Sequence, residues 1–529
     1  MQEEQTNPNL DRFIFFTGGG LLVSVIVPII LFPEDSARVI NQIFTYLTTE
    51  LGVLYILAAI GSLTVLMFVG IGPLGNTRLG RNPPPYSRFS WIAMLFCCGI
   101  GASVIYWGAA EWVFYYESPP FGVQPRTDEA VLWASSYGIY HWGPVGWALY
   151  CLPTIAISCS YHIRQRPSLK LSDACEPAIG RWSARWPGRV IDILFIIGLL
   201  GTASTGLAFG TSIVASAVTR ATGLQDGFFM QLVIVSLVTA TIAYSVYRGL
   251  DDGIKVLSII NAVLALILIT FVLLIGPTRF ILEMGIVSVG HMLQNFIKMT
   301  TWADPLQRSA FVESWTVFYW AWWLALGPFV GMFVCKISEG RTVREVIFGM
   351  LGWGSLGCAL FFIVLGNYAY FLETTGVLPV IQETTEVSPS AAIASMMTTL
   401  PMGTFWLIFL AVIGLVSSAT TYDSASYTLA AGATKNLTEH AHPARWHRVF
   451  WALSLGVLPA CLLYLGDIRV LQTASVVASL PILGVYVLMS ISIIKTLNAH
   501  ADGKIESSEL NIIQYIIAEF FNLEIRGWR

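Results

Sequence analysis

The stretch WIAMLFCCGIGASVIYWGAAEWVFYY, Trp91–Tyr116, is apolar over the length a helix needs to cross a bilayer, yet it gathers Gly99, Gly101, Ala102 and Ser103 at its middle. Glycine there weakens the backbone ladder, and non-helical backbone at that depth is tolerated only beside protein or a water-filled cavity. A break would free carbonyls for a cation and amides for a carboxylate. Close helix–helix packing at small residues explains the same composition. The surrounding chain has to decide between them.

That chain is apolar throughout. Of 529 residues, 55% are hydrophobic and 12% charged, and the mean hydropathy is +0.68. Soluble globular chains are about 25% charged. Apolar runs follow one another with no polar domain between them, which argues against a soluble enzyme. A net charge of −3 with no basic patch gives no reason to expect a nucleic-acid partner. The eight cysteines, Cys97, Cys98, Cys151, Cys159, Cys175, Cys335, Cys358 and Cys461, mostly sit in apolar runs and form no CxxC pair. They read as packing residues rather than disulfides or a zinc site. The start, MQEEQTNPNLDR, leads into an apolar run with no A-x-A-like cleavage site, so that run reads as a retained span.

The expected fold is an all-α membrane protein of about twelve spans, near 12–32, 50–72, 90–116, 131–160, 188–219, 229–247, 255–276, 314–337, 344–371, 403–432, 446–465 and 469–495. The stretch Ile281–Thr300 is apolar on one face and is expected to lie along the membrane surface. Positive charge falls in alternate loops: Arg78, Arg81 and Arg88; Arg164, Arg166, Lys170, Arg181, Arg185 and Arg189; Arg248 and Lys255; Lys336, Arg341 and Arg344; Lys435, Arg445 and Arg448. The loop Glu373–Ser390 has none. The positive-inside rule puts the basic loops and both termini in the cytoplasm, with the chain in an inner membrane.

Two further segments look wrong as lipid-facing helices. In HWGPVGWALYCLP, His141–Pro153, Trp142, Trp147 and Tyr150 stand around Gly143, Pro144 and Gly146, which allow a kink. In ESWTVFYWAWWLALGPFVGM, Glu313–Met332, Trp315, Tyr319, Trp322 and Trp323 share a helix face, and Gly327, Pro328 and Gly331 follow. Tryptophan usually marks the headgroup belt, but a belt needs one or two aromatics near a span end. A dense stripe beside a break suggests an aromatic box. Such a box suits a quaternary ammonium or sulfonium, a permanent cation with no N–H to donate, for which each ring face is worth about 0.5–2 kcal/mol.

On these segments the chain closely resembles the betaine/carnitine/choline transporter family, over nearly its whole length. SWTVFYWAWW (Ser314–Trp323), running on to GPFVGMF and then ISEGRTVREVIFG, is specific to that family, and HWGPVGWALY is a second match. The resemblance implies a leucine-transporter-type inverted repeat of spans 3–7 and 8–12. Residues 1–89 would then hold a tail and two peripheral spans, 90–280 the first repeat, 281–313 the surface helix, 314–498 the second repeat and 499–529 a cytoplasmic tail. It also implies a homotrimer with Ile281–Thr300 at the subunit contacts.

Matched residue by residue, the family's box falls on Trp142, Trp147, Tyr150, Trp322 and Trp323, and Trp315 matches a pathway aromatic. Leu326, Phe114 and Val330 depart from family patterns at the box, and Ser103 departs in the glycine motif. Thr420 and Thr421 match the family's second sodium site, which backbone carbonyls near Cys97 and Ile100 would complete. Asn261 stands where a sodium-independent member has an arginine. A threonine pair in a span can equally bond its own helix carbonyls. Glu111 and Asp423 are costly inside a membrane, so each should meet a positive group or water.

The expectation is a secondary transporter for a methylated ammonium or sulfonium solute of the betaine, choline, carnitine or dimethylsulfoniopropionate type. Sodium is the coupling ion and there is no cofactor; the alternative is sodium-independent exchange. An enzyme would cluster His, Asp or Glu in its spans, and the seven histidines are scattered. A channel would want a polar ring along a continuous pore.

Overall fold

The computed structural model describes residues 9–166, 168–225, 227–248, 251–435, 442–465 and 468–503. The chain is an all-α membrane protein. Its helices are α1 (Arg12–Leu31), α2 (Pro33–Glu50), α3 (Gly52–Ile71), α4 (Arg88–Cys98), α5 (Ala102–Glu117), α6 (Asp128–His141), α7 (Pro144–Ser158), α8 (Trp186–Thr222) and α9 (Phe228–Arg248). After them come α10 (Asp251–Ile275), α11 (Thr278–Thr301), α12 (Val317–Ile337), α13 (Val343–Thr374, with two π turns), α14 (Pro389–Thr398) and α15 (Gly403–Gly432). The last are α16 (Arg445–Leu465), α17 (Ile468–Ser479) and α18 (Ile482–Ala501). One antiparallel pair, β1 (Asn9–Leu10) with β2 (Thr434–Lys435), ties the N-terminal segment to the end of α15.

Among the described residues, 11 helices are long and apolar enough to cross a bilayer, or 12 when the bent pair α4–α5 counts as one span. This set and the twelve spans expected from the sequence differ in three places. Residues 131–160 divide at Trp142–Gly143 into α6 and α7, of 14 and 15 residues, each too short to cross alone. Helix α11 passes the length and hydropathy test at 1.3, so composition by itself does not confine it to the surface. The last expected span, 469–495, divides at Leu480–Pro481 into the 12-residue α17 and the start of α18. The expected break in Trp91–Tyr116 is present: Gly99–Gly101 leaves the helix and the two halves bend by 56°. The tail beyond residue 503 lies outside the described residues.

The packing pattern is that of two five-span units. Helix α8 packs on α15 and α9 on α16; α7 packs on α12 as α4–α5 packs on α13; α10 packs on α15 as α17 packs on α8. Each pairing maps onto another when a span of one unit is exchanged for its counterpart in the other. An odd number of spans per unit inverts the second relative to the first. Helices α8 and α12 are the most enclosed, while α1, α9 and α10 bury under a third of their residues, as lipid-facing helices do. Three basic loops meet at one end. Leu79 N–H donates to Arg341 O at 2.8 Å, Val343 N–H to Thr77 O at 2.9 Å, and His162 Nε2 to Cys335 O at 2.8 Å.

The pair α7–α12 is locked from α18. Pro153 and Pro328 each withhold the amide that would meet a carbonyl four residues back, which orphans Leu149 O and Leu324 O. The Tyr486 hydroxyl reaches both, at 2.6 and 3.1 Å. Tyr486→Phe strips both carbonyls of that donor, and we expect thermal unfolding in detergent to show a loss of about 1–3 kcal/mol.

Candidate functional site

The break between α6 and α7 places Trp142 just past the last residue of α6, as its C-cap, and frees the His141 carbonyl. Trp323 on α12 meets that carbonyl through its indole N–H at 2.9 Å. The same contact seats the Trp323 ring against Trp142, with centroids 4.7 Å apart and planes at 78°. Trp322 stacks on Trp323 at 5.2 Å and 9°, and stands edge-on to Trp142 at 6.1 Å. Tyr150, two turns along α7, lies 5.3 Å from Trp323 and 5.5 Å from Trp147. The fold thus brings five of the six expected ring residues into one cluster, contributed by α7, α12 and the end of α6 and buried throughout.

Two close approaches set its shape. A Cβ on Gly146 would lie 2.8 Å from Trp323 Nε1, and one on Gly354 would lie 2.5–2.6 Å from three atoms of the Trp147 indole. Only residues without a side chain let α7 and α13 come this near the rings.

Trp315 is elsewhere. It packs on Phe114 and Tyr115 at 5.1 Å and on Trp107 at 5.7 Å, two helical turns from Trp322. Trp107 and Phe209 join it to the main cluster, with Phe209 5.1 Å from Trp107 and 5.8 Å from Trp322. The result is a chain of packed rings leading to the cluster rather than a sixth wall. Trp320 faces the other side of α12, against Tyr140 and His141 at 5.7 and 5.6 Å.

Sequence reading did not count Tyr319 among the site residues, although it shares the Trp315–Trp323 face. It stacks on Trp323 at 5.8 Å and its hydroxyl bonds Glu111. Glu111 also accepts from Trp142 Nε1 at 3.3 Å and from the Tyr115 hydroxyl at 2.5 Å. Its buried charge was the only signal in the sequence; its partners come from three helices.

Three of the four residues expected around sodium have their oxygens engaged in hydrogen bonds, and the fourth is exposed. The Thr420 hydroxyl bonds its own helix at Val416 O (3.0 Å) and Ser417 O (3.1 Å), and Thr421 is exposed. Cys97 O accepts from Ile100 N–H at 3.0 Å, and Ile100 O from Asn261 Nδ2 at 3.4 Å. The group that α15 does bring to the break is Ser417, whose Oγ accepts from Ala102 N–H at 2.7 Å. In this conformation Asn261 and Ser417 occupy the freed backbone. Asn261 Oδ1 remains buried without a partner among the described residues, one oxygen more for an ion at this place.

Gly354→Ala forces the Trp147 ring aside, and we expect it to cost about 1–3 kcal/mol in a melting experiment. Gly352→Ala, with open space around its Cβ, serves as the unaffected control.

The chain is similar to several known proteins. Residues 13–502 match the model of the BCCT, betaine/carnitine/choline family transporters. A relative from Escherichia coli, the uncharacterized transporter YeaV, is 33% identical over 421 residues, covering 79% of this chain and 87% of its own. A carnitine transporter from Acinetobacter baumannii is 29% identical over 499 residues, covering 94% and 90%. Among solved structures, a substrate-bound, outward-open Na+-coupled sialic acid symporter aligns over 82% of this chain and 91% of its own, at 12% identity and a TM-score of 0.34. The family match spans the broken helix, the ring-bearing helices and the basic loops alike, and the chain belongs to the betaine/carnitine/choline family of transporters.

Proposed function

We propose that this transporter takes up a small solute with a trimethylammonium or dimethylsulfonium head group, driven by a sodium gradient. The observation that carries the head group is the five-ring cluster of Trp142, Trp147, Tyr150, Trp322 and Trp323, at centroid distances of 4.7–6.1 Å. The one carboxyl touching it, Glu111, lies behind the rings rather than among them. Ring faces hold a cation that cannot donate a hydrogen bond, without a contact ion pair that would slow its release. Trp322 Nε1–H is buried with no partner among the described residues, and a carboxylate on the same solute would meet it. The Acinetobacter relative's name, carnitine transporter, points to the same class of solute.

The coupling ion would sit at the α4–α5 break, held by carbonyls there and by oxygens from α15. Ligands shared by two helices let an ion favour one arrangement of the bundle, and that differential is what couples ion to solute. The contact of Asn261 with Ile100 O favours a second reading, in which the amide stands in for the ion and the protein exchanges solutes without sodium. The convergence of the basic loops supports a cytoplasmic placement of that end, in a bacterial inner membrane with both termini inside. The exposed apolar face of α11, with Ile286, Leu293 and Ile297, suits subunit contacts in a homotrimer.

Trp323→Leu is expected to weaken solute binding by about 1–2 kcal/mol, read by fluorescence titration. Trp320→Leu is expected to leave affinity nearly unchanged, and the reverse pattern would refute the cluster as the binding site. Uptake into proteoliposomes is expected to need sodium, and Thr420→Ala with Thr421→Ala to raise the sodium concentration for half-maximal rate. Full uptake in potassium-only buffer into empty vesicles would rule out sodium coupling. Uptake only into vesicles preloaded with a related solute would favour exchange.

A further inference from the structure

Glu111 is wholly buried behind the ring cluster. Oε2 accepts from the Trp142 indole N–H at 3.3 Å and from the Tyr319 hydroxyl; Oε1 accepts from the Tyr115 hydroxyl at 2.5 Å. The side chain of His141 lies nearby, with Nδ1 3.8 Å from Oε1. That nitrogen faces the Tyr115 hydroxyl at 2.9 Å, and Nε2 faces Thr316 Oγ1 at 3.1 Å, so the ring is already placed by neutral hydroxyls. Among the described residues no Lys or Arg forms an ion pair with Glu111.

Three donors converging on one carboxyl make it an acceptor at both oxygens, the arrangement a carboxylate satisfies. Burying such a charge is costly unless a positive charge offsets it, so the carboxylate form belongs to the state in which a solute cation sits on the rings. The rings it touches are those that would face a solute cation. An indole N–H or phenol O–H bonded to a carboxylate in a low dielectric is strongly polarised, and electron density shifts into its ring. The ring faces then attract a cation more strongly, while the ring itself keeps the cation out of contact with the carboxylate.

We infer that Glu111 is a positioning and specificity-determining residue: through Trp142 and Tyr319 it supplies the negative charge by which the cluster prefers a fixed cation to an uncharged group of the same shape. This rests on the reading that the cluster receives a methylated onium head group.

Glu111→Gln is the direct test, because glutamine can keep the geometry. Its oxygen accepts from Trp142 and Tyr319, its NH2 donates to the Tyr115 oxygen, and the Tyr115 proton turns to His141 Nδ1. The full-length protein is titrated with glycine betaine, choline and carnitine and with the tert-butyl carbon isostere of each. Wild type is expected to prefer the ammonium solutes. Glu111→Gln is expected to lower ammonium affinity about tenfold, as expected for a charge one ring away, and to leave isostere affinity unchanged. An unchanged ammonium-to-isostere ratio, whether both affinities hold or both fall, would overturn the inference and leave Glu111 a structural residue. Should wild type itself show no preference, the onium reading has failed, and this inference with it. If Glu111→Gln does not fold, Tyr319→Phe decides: it keeps the charge and the ring but cuts their link. The ratio is then expected to fall by a smaller factor, and a ratio equal to wild type would overturn the inference.

Discussion

Every amide and carbonyl that a broken span releases inside a bilayer has to be met by another part of the protein, because no solvent is there to meet it. This constraint organises the core. The α4–α5 break is met by Ser417 on α15 at Ala102 N–H and by Asn261 on α10 at Ile100 O. The α6–α7 break is met by Trp323 at His141 O, and the carbonyls orphaned by two prolines are met by Tyr486. Three of these repairs cross from one five-span unit to the other, Ser417 to Ala102, Trp323 to His141 and Tyr486 to Leu149, while Asn261 to Ile100 and Tyr486 to Leu324 stay within a unit. The breaks therefore assemble the bundle instead of weakening it.

The ring cluster follows from one of these repairs. The indole N–H that satisfies His141 O belongs to the ring that closes on Trp142, so backbone satisfaction and site construction are the same contact. Close approach then depends on Gly146 and Gly354, and orientation on Glu111 behind the rings. Trp315, Trp107 and Phe209 continue the aromatic packing from the cluster at Trp322.

The contacts at the α4–α5 break are the ones on which the two proposed coupling modes differ. Ile100 O is satisfied by an amide at 3.4 Å, a long hydrogen bond, and Thr420 is turned back on its own helix. The Thr420 hydroxyl has two carbonyls of its own helix to choose from, Val416 O and Ser417 O. A charged side chain in place of Asn261 would be far harder to displace.

Composition and apolar run length determined the membrane-spanning all-α class, because a bilayer leaves a chain few other ways to satisfy its backbone. Glycine and proline marked the breaks at Gly99–Gly101 and Trp142–Gly143, since their effects on the backbone are local. The family motifs named five residues that do meet. What those motifs could not decide is which contacts close between distant helices. That Trp315 belongs to a separate group, that Tyr319 and Glu111 join the cluster, and that Ser417 rather than Thr420 or Thr421 meets the break all depend on the register between helices. Register is set by the packing of whole helix faces and by which freed carbonyl finds which donor, and neither is written in any short stretch of the chain.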